Sequence, residues 1–399
     1  MHAEADRARC EDARVMHDER YRVALLDWLA CAAAGAAEPA ARAARAVGSG
    51  LLERVAAAGC AGHVLDYDDT YTPGLVHASA PVAPAALLCA ADLGRPLEAV
   101  LGAYASGFEA TAGLARASHP ALYERGWHPT AVCGTVGAAV ASAWLLELDE
   151  RTTEHAVALS LLRAGGLRAA FGSHGKAIQV GAAAAAGVHA ARLAAAGAEA
   201  PLEPLARGPA GFEEAFGGSW PAPDAAAPAA VLENWIKAYP CCLATHSPIE
   251  AALAVAGSDG VPDRLTVVVH PRARQAAAFD EIEDTLQARF SIPYLTAFAL
   301  LRGAPGVAGL ARVDPRVQSV ARTAISVELD TGLEEMAARI EVGGKTVAYV
   351  EAALGSPARP MDGPRVQSKV RGLAGDRLDG ALDDLSAPAG DVVVAAGLV

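Results

Sequence analysis

A short stretch of the chain, residues 61–81, concentrates titratable side chains between alanine-rich segments that carry almost no charge. It contains two histidines, three aspartates and a threonine, namely His63, Asp66, Asp68, Asp69, Thr70 and His77. Pro73 and Gly74 disfavour a regular helix and predict a loop or a broken helix. Carboxylates beside histidines can hold the imidazole rings and raise their basicity, so the stretch is typical of an active-site loop that transfers protons.

Two other interpretations of this stretch stay open from the residues alone. Aspartate and threonine ahead of a helix can cap its free amides. Clustered carboxylates with His63 could bind a divalent cation, but no second cluster of Asp, Glu and His stands at ligand spacing, and a site without metal is predicted. If residues 66–70 formed one helical turn, Asp66, Asp69 and Thr70 would share a face.

Three further segments carry candidate residues. Two place a histidine at the start of an apolar helix, His128 in "GWHPTAVCGT" and His246 in "CCLATHSPIE", a position that is also typical of simple capping. The third, "GGLRAAFGSHGKAIQVG", surrounds Arg168 and Lys176 with glycines. A glycine-rich turn entering a helix presents backbone amides to an anion, and Lys176 adds charge. No Walker or dinucleotide spacing is found, so no nucleotide cofactor is predicted.

The composition favours closely packed helices and disfavours several partners. Hydrophobic residues make up 53% of the 399 positions but aromatic residues only 5%. The formal net charge of −13 disfavours nucleic acid and anionic membranes. The apolar stretches fall short of the roughly 20 residues of a membrane span, and the charged N-terminus is unlike a secretory signal. A cytoplasmic protein with a small anionic ligand is expected, its seven cysteines reduced.

The pattern of the chain changes near residue 258, which divides it into two predicted domains. Residues 1–258 repeat apolar positions at helical spacing between Gly and Pro breaks and predict a large all-helical domain. Residues 259–399 mix helical patterns with short β-branched runs, and "VGGK" marks a hairpin turn between two of them. This part is predicted to be a smaller α+β domain, with a C-terminal tail that could return to the helices. The fold class is mainly α.

The four segments, in this order and followed by the α+β part, resemble the MmgE/PrpD family. The most specific matches are "GHVLDYDDTYTPGLVH", "GWHPTAVCGT", "FGSHGKAIQVG", "IKAYPCCLATH", "RFSIPYLTAFALL" and "GSPARPM", which together span nearly the whole chain. The resemblance implies a helical domain with an α+β lid, a homodimer, and a site in the cleft between the domains. It also implies cofactor-independent chemistry on small di- or tricarboxylates.

The resemblance assigns the family's site positions to seven residues of this chain: Asp66, Thr70, His77, His128, Lys176, His246 and Tyr294. Removing a proton next to a carboxylate needs a base, an acid and fixed positive charge where electrons accumulate.

We expect His77 to be the principal general acid/base, with Asp66 or Asp69 holding its ring. Lys176 is expected to bind a substrate carboxylate. The other assigned side chains are expected to act around them, with His128 and His246 contacting the substrate or relaying the second proton, Tyr294 donating a hydrogen bond from the lid, and Thr70 positioning the substrate.

The chain departs from the family pattern at three positions. Gln179 and Ala182 stand where many members have histidine and arginine, and Leu243 stands where arginine often follows the cysteines. These replacements remove up to two cations and one imidazole near the expected site. A substrate with fewer carboxylates than a citrate, or one held by Arg168, is therefore favoured.

The predicted function is a lyase, either a dehydratase or a decarboxylase, that acts without cofactor on a small polycarboxylate. An epimerase of an amino- or imino-polycarboxylate is the main alternative, and a binding homologue that has lost catalysis is another. The run "DYDDT" also fits the acid motif of class II terpene cyclases. Those sites need many aromatic side chains to stabilise carbocations, which this sequence lacks.

Overall fold

Alanine-rich segments pack into a helical bundle in the computed structural model of the chain, which describes residues 19–222, 228–256 and 262–398. The helices are α1 (Glu19–Gly35), α2 (Pro39–Ala46), α3 (Leu51–His63), α4 (Ser79–Asp92), α5 (Leu97–Ser118), α6 (Ala121–Glu124), α7 (Pro129–Leu145), α8 (Glu150–Leu161), α9 (Gly175–Ala195), α10 (Leu202–Arg207) and α11 (Phe212–Phe216). Helix α7 is buried along almost its whole length and packs against α4, α5 and α9. A helix that is apolar all round belongs in the centre of a core.

Small residues allow these helices to approach closely. A Cβ atom added to Gly59 of α3 would lie 2.9 Å from the Cα atom of Gly181 in α9. One added to Gly107 of α5 would lie 2.5 Å from the carbonyl oxygen of Gly137 in α7. Any larger residue would push the helix pairs apart, so the alanine and glycine composition sets the tight crossings.

A second hydrophobic core begins at Tyr239 and surrounds a small sheet. Its elements are α12 (His246–Val255), β3 (Leu265–Val269), α13 (Pro271–Ala276), α14 (Thr285–Ala288), α15 (Ile292–Arg302), α16 (Pro315–Ala324), β4 (Ile325–Leu329), β5 (Ala338–Val342) and β6 (Lys345–Val350). The strand order is β4-β3-β5-β6, with β3 parallel to β4 and antiparallel to β5. Gly343 and Gly344, at φ 58° and 75°, form the predicted turn between β5 and β6.

The C-terminal segment returns to the first core. Helix α17 (Gly363–Ala374) packs against α1, and α18 (Ala389–Ala395) packs against α4. Their side chains Val366, Val370 and Val392 belong to the same buried cluster as the N-terminal helices. The mainly α fold with a small α+β part is confirmed. The predicted domain boundary at residue 258 lies outside the described residues and stays a prediction. Helix α12, which precedes it, already belongs to the second core, and the last two helices belong to the first.

A two-residue ribbon joins the two cores beside the acidic stretch. Strand β1 (Thr70–Tyr71) pairs antiparallel with β2 (Asn234–Trp235), so that Thr70 faces Trp235 and Tyr71 faces Asn234. The pairing brings the loop that precedes β1 next to the segment that leads into the second core.

Within the described ranges, no single helix is long and apolar enough to cross a membrane, and α1 and α2 reach that threshold only as a pair bent by 85°.

A buried ion pair ties α17 to α1 and to the acidic loop. The Lys369 ammonium lies 2.6 Å from Asp27 Oδ1, and both side chains are withdrawn from solvent. The same ammonium donates a hydrogen bond of 2.8 Å to the carbonyl of Tyr67 and lies 3.9 Å from the centre of its ring. Burial raises the pKa of Asp27 against the attraction of Lys369.

Breaking this pair from one side is expected to destabilise the protein strongly. Lys369→Met leaves the Asp27 carboxylate buried without a counter-ion and should lower the free energy of unfolding by about 3–5 kcal/mol. The double variant Asp27→Asn/Lys369→Met removes the stranded charge and should recover part of that loss, as measured by urea unfolding. Equal stability of the single and double variants would show that the pair is not the cause.

Candidate active site

A cavity of about 490 Å³ lies between the two hydrophobic cores. The first core contributes most of its polar groups: Asp66, Thr70, His77, His128 and Lys176. The second contributes a second lysine and apolar surface: Lys237, Cys242, Leu243, Phe290 and Met336. A mainly apolar cavity with a few converging polar groups is the usual form of a small-molecule site.

The polar wall is built by the loop between α3 and α4. Helix α3 ends at His63, and Asp66 follows with φ 51°, a left-handed conformation that non-glycine residues seldom adopt. The loop therefore has no helical turn over residues 66–70, and Asp66 and Asp69 do not share a face. Lys237 holds the Asp66 carbonyl at 2.9 Å, and Arg289 donates to the carbonyl of Leu65. Such strain persists where the surroundings fix it.

The Asp66 carboxylate is shared by two lysines from distant parts of the chain. Its Oδ1 atom lies 2.6 Å from the ammonium of Lys176 and 3.2 Å from that of Lys237. Burial alone would raise the pKa of Asp66, but the two ammonium groups outweigh it and hold the pKa well below its usual range. Asp66 is ionised, and the group of three carries one net positive charge.

Asp68 orients two imidazoles on the other side of Asp66. The ring of His63 donates from Nδ1 to Asp68 Oδ2 at 2.8 Å, and Nδ1 of His77 lies 3.2 Å from the same oxygen. Nε2 of His77 lies 3.6 Å from Asp66 Oδ1. Burial opposes ionisation of Asp68, yet the two imidazoles keep its pKa well below the usual value.

The histidines around this loop are neutral at pH 7. Burial lowers the pKa of His77 to about 3, with Asp68 opposing the shift and Lys237 and Lys176 adding to it. Burial also lowers the pKa of His63 and, together with the neighbouring His63 and Lys176, that of His128. The ring centroid of His63 lies 4.5 Å from that of His77 and 5.9 Å from that of His128. Two protonated, positively charged rings in this cluster would therefore repel each other. A neutral His77 can accept a proton.

Three of these residues could also hold a cation. His63, Asp68 and His77 each offer one ligand atom, and these atoms lie within 4.8 Å of one another. Nitrogen and carboxylate donors in this combination suit a transition metal such as zinc. The expectation of a metal-free site therefore stays a prediction that a chelator can test.

His128 is held in one tautomer by Gln179. The Gln179 amide is clamped by Leu167, whose N–H donates to Oε1 at 2.9 Å and whose carbonyl accepts from Nε2 at 3.1 Å. The clamp therefore identifies Nε2 of Gln179 as the atom that lies 2.7 Å from Nδ1 of His128. An amide nitrogen can only donate a hydrogen bond, so Nδ1 of His128 must accept it. The ring proton of His128 therefore sits on Nε2, so that His128, which lines the cavity, is a hydrogen-bond donor.

Two family models match the chain on either side of this cavity. The MmgE/PrpD N-terminal domain matches residues 52–223, and the MmgE/PrpD C-terminal domain matches residues 239–386. The chain belongs to the MmgE/PrpD family. The two matched ranges contain the residues named for both cavity walls except Lys237, which lies between them.

Curated relatives of this MmgE/PrpD protein include cis-aconitate decarboxylases. The enzyme of Aspergillus terreus is 30% identical over 267 residues, which cover 58% of this chain and 54% of the relative. The human enzyme is 30% identical over 211 residues, covering 49% of this chain and 43% of the relative. The chain thus spans about half the length of the curated relatives it matches.

Five of the predicted site residues meet at the cavity of this MmgE/PrpD protein, and two others are held away from it by hydrogen bonds. The five are Asp66, Thr70, His77, His128 and Lys176. Asp69 instead accepts from Ser79 Oγ at 2.5 Å and from Asn234 at 2.7 Å, and burial raises its pKa to about 7. Arg168 stacks 3.9 Å above the ring of Tyr123 and donates to its carbonyl.

The other two predicted residues lie inside the second core. His246 begins α12, with Nε2 3.4 Å from the carbonyl of Cys241 and its ring against Tyr239. The hydroxyl of Tyr294 accepts from the backbone N–H of Asp314 at 2.9 Å. Neither side chain lines the cavity, so any role of either in the chemistry remains a prediction that requires a movement of the second core.

The structure adds a cavity residue that the sequence reasoning missed, Lys237. Its side chain is buried and reaches Asp66 from 171 positions away. A single lysine within the apolar run "NWIKAYPCC" was the available signal, since a buried lysine needs a partner.

Replacing Gln179 by glutamate is expected to move the proton on His128. The Gln179→Glu carboxylate can only accept, so it should draw the proton to Nδ1 and raise the pKa of His128 by stabilising the imidazolium. The ring ¹⁵N shifts of His128, followed by NMR against pH, measure both effects. Gln179→Met is the matched control, which removes the donor without adding charge and should raise the pKa less. Identical ¹⁵N shifts in the three proteins would contradict the assigned tautomer.

Proposed function

We propose that this protein is a lyase that removes water or carbon dioxide from a small di- or tricarboxylate by proton transfer beside a carboxylate. The observation that carries the proposal is the neutral imidazole of His77, placed between Asp68 and Asp66 in the same cavity as two ammonium groups. A base that is uncharged at pH 7 and cations that face the same ligand are what such a reaction needs.

The first step of a dehydration is abstraction of a proton from the carbon next to a carboxylate. His77 accepts the proton, the C–H bond breaks, and its electron pair moves into the carboxylate to form an enediolate. The pair then returns to form a carbon–carbon double bond, and a β-hydroxyl leaves as water after receiving a proton from the imidazolium. His77 ends neutral, as it began. Because the substrate loses only water and no electrons, the cycle needs no redox partner.

Decarboxylation uses the same groups in a different order. The bond to the departing carboxylate breaks, carbon dioxide leaves, and the electron pair passes into the remaining conjugated carboxylate. His77 relays a proton from the solvent to the resulting carbanion, which completes the reaction, and the imidazole ends neutral as it began. His128 donates a hydrogen bond through Nε2 to a substrate oxygen in either case.

Lys176 and Lys237 supply the fixed positive charge. Both reactions pass through a species in which negative charge accumulates on a carboxylate, and cations stabilise it strongly where apolar walls limit access of water. Phe171 and Phe290 flank the Lys176 ammonium at 5.2 Å and 5.0 Å from their ring centres, which keeps this charge in an environment of low polarity.

Membership of the MmgE/PrpD family and similarity to cis-aconitate decarboxylases support decarboxylation as the first reaction to test. Gln179 and Leu243 add no charge to the site and favour a substrate with fewer carboxylates than a citrate. Since the chain covers about half of those relatives, the substrate is part of the proposal.

The deciding experiment incubates the purified protein with a panel of di- and tricarboxylates in deuterated water and follows the products by NMR. Loss of water or carbon dioxide with deuterium at the neighbouring carbon supports the lyase. Deuterium exchange and inversion without net loss would favour an epimerase instead. Activity that a chelator abolishes and a divalent ion restores would contradict the metal-free mechanism.

His77→Gln is expected to lower kcat by about 10²–10⁴ with little change in KM, because it removes the base and leaves the cavity filled. Lys176→Met should raise KM, and a fall in kcat as well would show that Lys176 also stabilises the transition state. The matched control is His174→Gln, which changes an exposed histidine that does not line the cavity. Values of kcat and KM within about threefold of the parent for both site variants would rule out this cavity as the active site.

A further inference from the structure

A second, smaller cavity lies on the far side of the ion pair between Asp66 and Lys176. It comprises about 300 Å³ of empty space, part of it open to solvent, and shares Asp66, Lys176 and Phe290 with the main cavity. We propose that this second cavity is a binding site for one small anion, of the size of a halide or a single carboxylate group, and that Arg289 is its principal ligand.

The Arg289 guanidinium is a buried cation without an ion-pair partner. The residue is only 4% exposed, and it donates to the carbonyl of Leu65 while Nε has no hydrogen-bond partner. No carboxylate oxygen of the described ranges lies within 4.0 Å of it. Arginine stays charged in proteins, and an unpaired buried charge is costly. A bound anion would supply the missing partner.

Other groups around the second cavity also suit an anion. Lys176 brings its ammonium, and Ser173 with Ala177 places the N-terminal end of α9 at the cavity. The 21-residue helix directs the positive end of its dipole there. The ring of His63 lines the cavity too, but its Nδ1 atom donates to Asp68, so the unpartnered Nε2 atom carries a lone pair and adds no donor for an anion.

The negative groups nearby do not cancel this charge. Asp66 Oδ2 lacks a partner and lines the cavity, but the carboxylate is already shared by Lys176 and Lys237. Asp68 faces the two histidines, and Glu38 attracts Arg289 from beyond ion-pair distance. Among the residues that line the cavity, the two cations Lys176 and Arg289 and the one carboxylate Asp66 leave one positive charge, the amount that a monoanion neutralises.

The anionic group could be a free ion from solution or a carboxylate of a ligand that extends from the main cavity. Both sources present the same chemistry to Arg289. The inference does not rest on the proposed reaction, since a halide can fill the site whether or not the protein is a lyase.

Bromide is the direct probe. Crystals of the full chain grown in sodium bromide should show an anomalous peak beside Arg289 in the parent, and the Arg289→Met variant should lose it. In solution, bromide should raise Tm relative to gluconate at equal ionic strength, and Arg289→Met should raise the bromide Kd at least tenfold. Arg289→Lys keeps the charge and serves as the second variant if the first does not fold.

Adding a saturating dicarboxylate then distinguishes a free anion from a carboxylate of a ligand in the main cavity. Displacement of bromide shows that a ligand carboxylate fills the site, and retention of bromide shows an independent anion site. A parent crystal without a peak beside Arg289 would overturn the proposal. A peak that persists unchanged in Arg289→Met would be an adventitious ion only and would overturn it as well.

Discussion

The arrangement of the cavity depends on one buried carboxylate that is the shared counter-ion of two ammonium groups. Asp66 is withdrawn from water, and it stays ionised only because Lys176 and Lys237 reach it from opposite cores. Each lysine in turn is tolerated in an apolar wall only because Asp66 is there. The left-handed backbone of Asp66 places the carboxylate where both can contact it.

Neutral histidines follow from the same constraint. With two fixed cations nearby and little water, further positive charge in this region is unfavourable, so His63, His77 and His128 remain unprotonated. Hydrogen bonds then decide what each ring can do. Asp68 accepts a hydrogen bond from Nδ1 of His63, and the Gln179 clamp makes His128 a donor. Electrostatics sets the number of protons in the site, and local geometry sets where they sit.

Local chemistry could be predicted from the sequence, and long-range pairing could not. The helical part, the turn at Gly343 and the acidic loop follow from periodicity, turn residues and clustered charges. The contact of Lys237 with Asp66 spans 171 positions, and the lone lysine in its apolar run indicates that a partner is needed but not which residue it is. Asp66 and Asp69 look equivalent in sequence, yet the positive φ of Asp66 turns one carboxylate to the cavity and leaves the other beside Ser79.

The ribbon of β1 and β2 has a consequence for how the site assembles and opens. It pairs Thr70 with Trp235, four positions after Asp66 and two before Lys237, so backbone hydrogen bonds tether the two ends of this ion pair. Separating Asp66 from Lys237 requires the ribbon to unpair. The charge in the cavity is therefore coupled to the backbone pairing of the segment that leads into the second core.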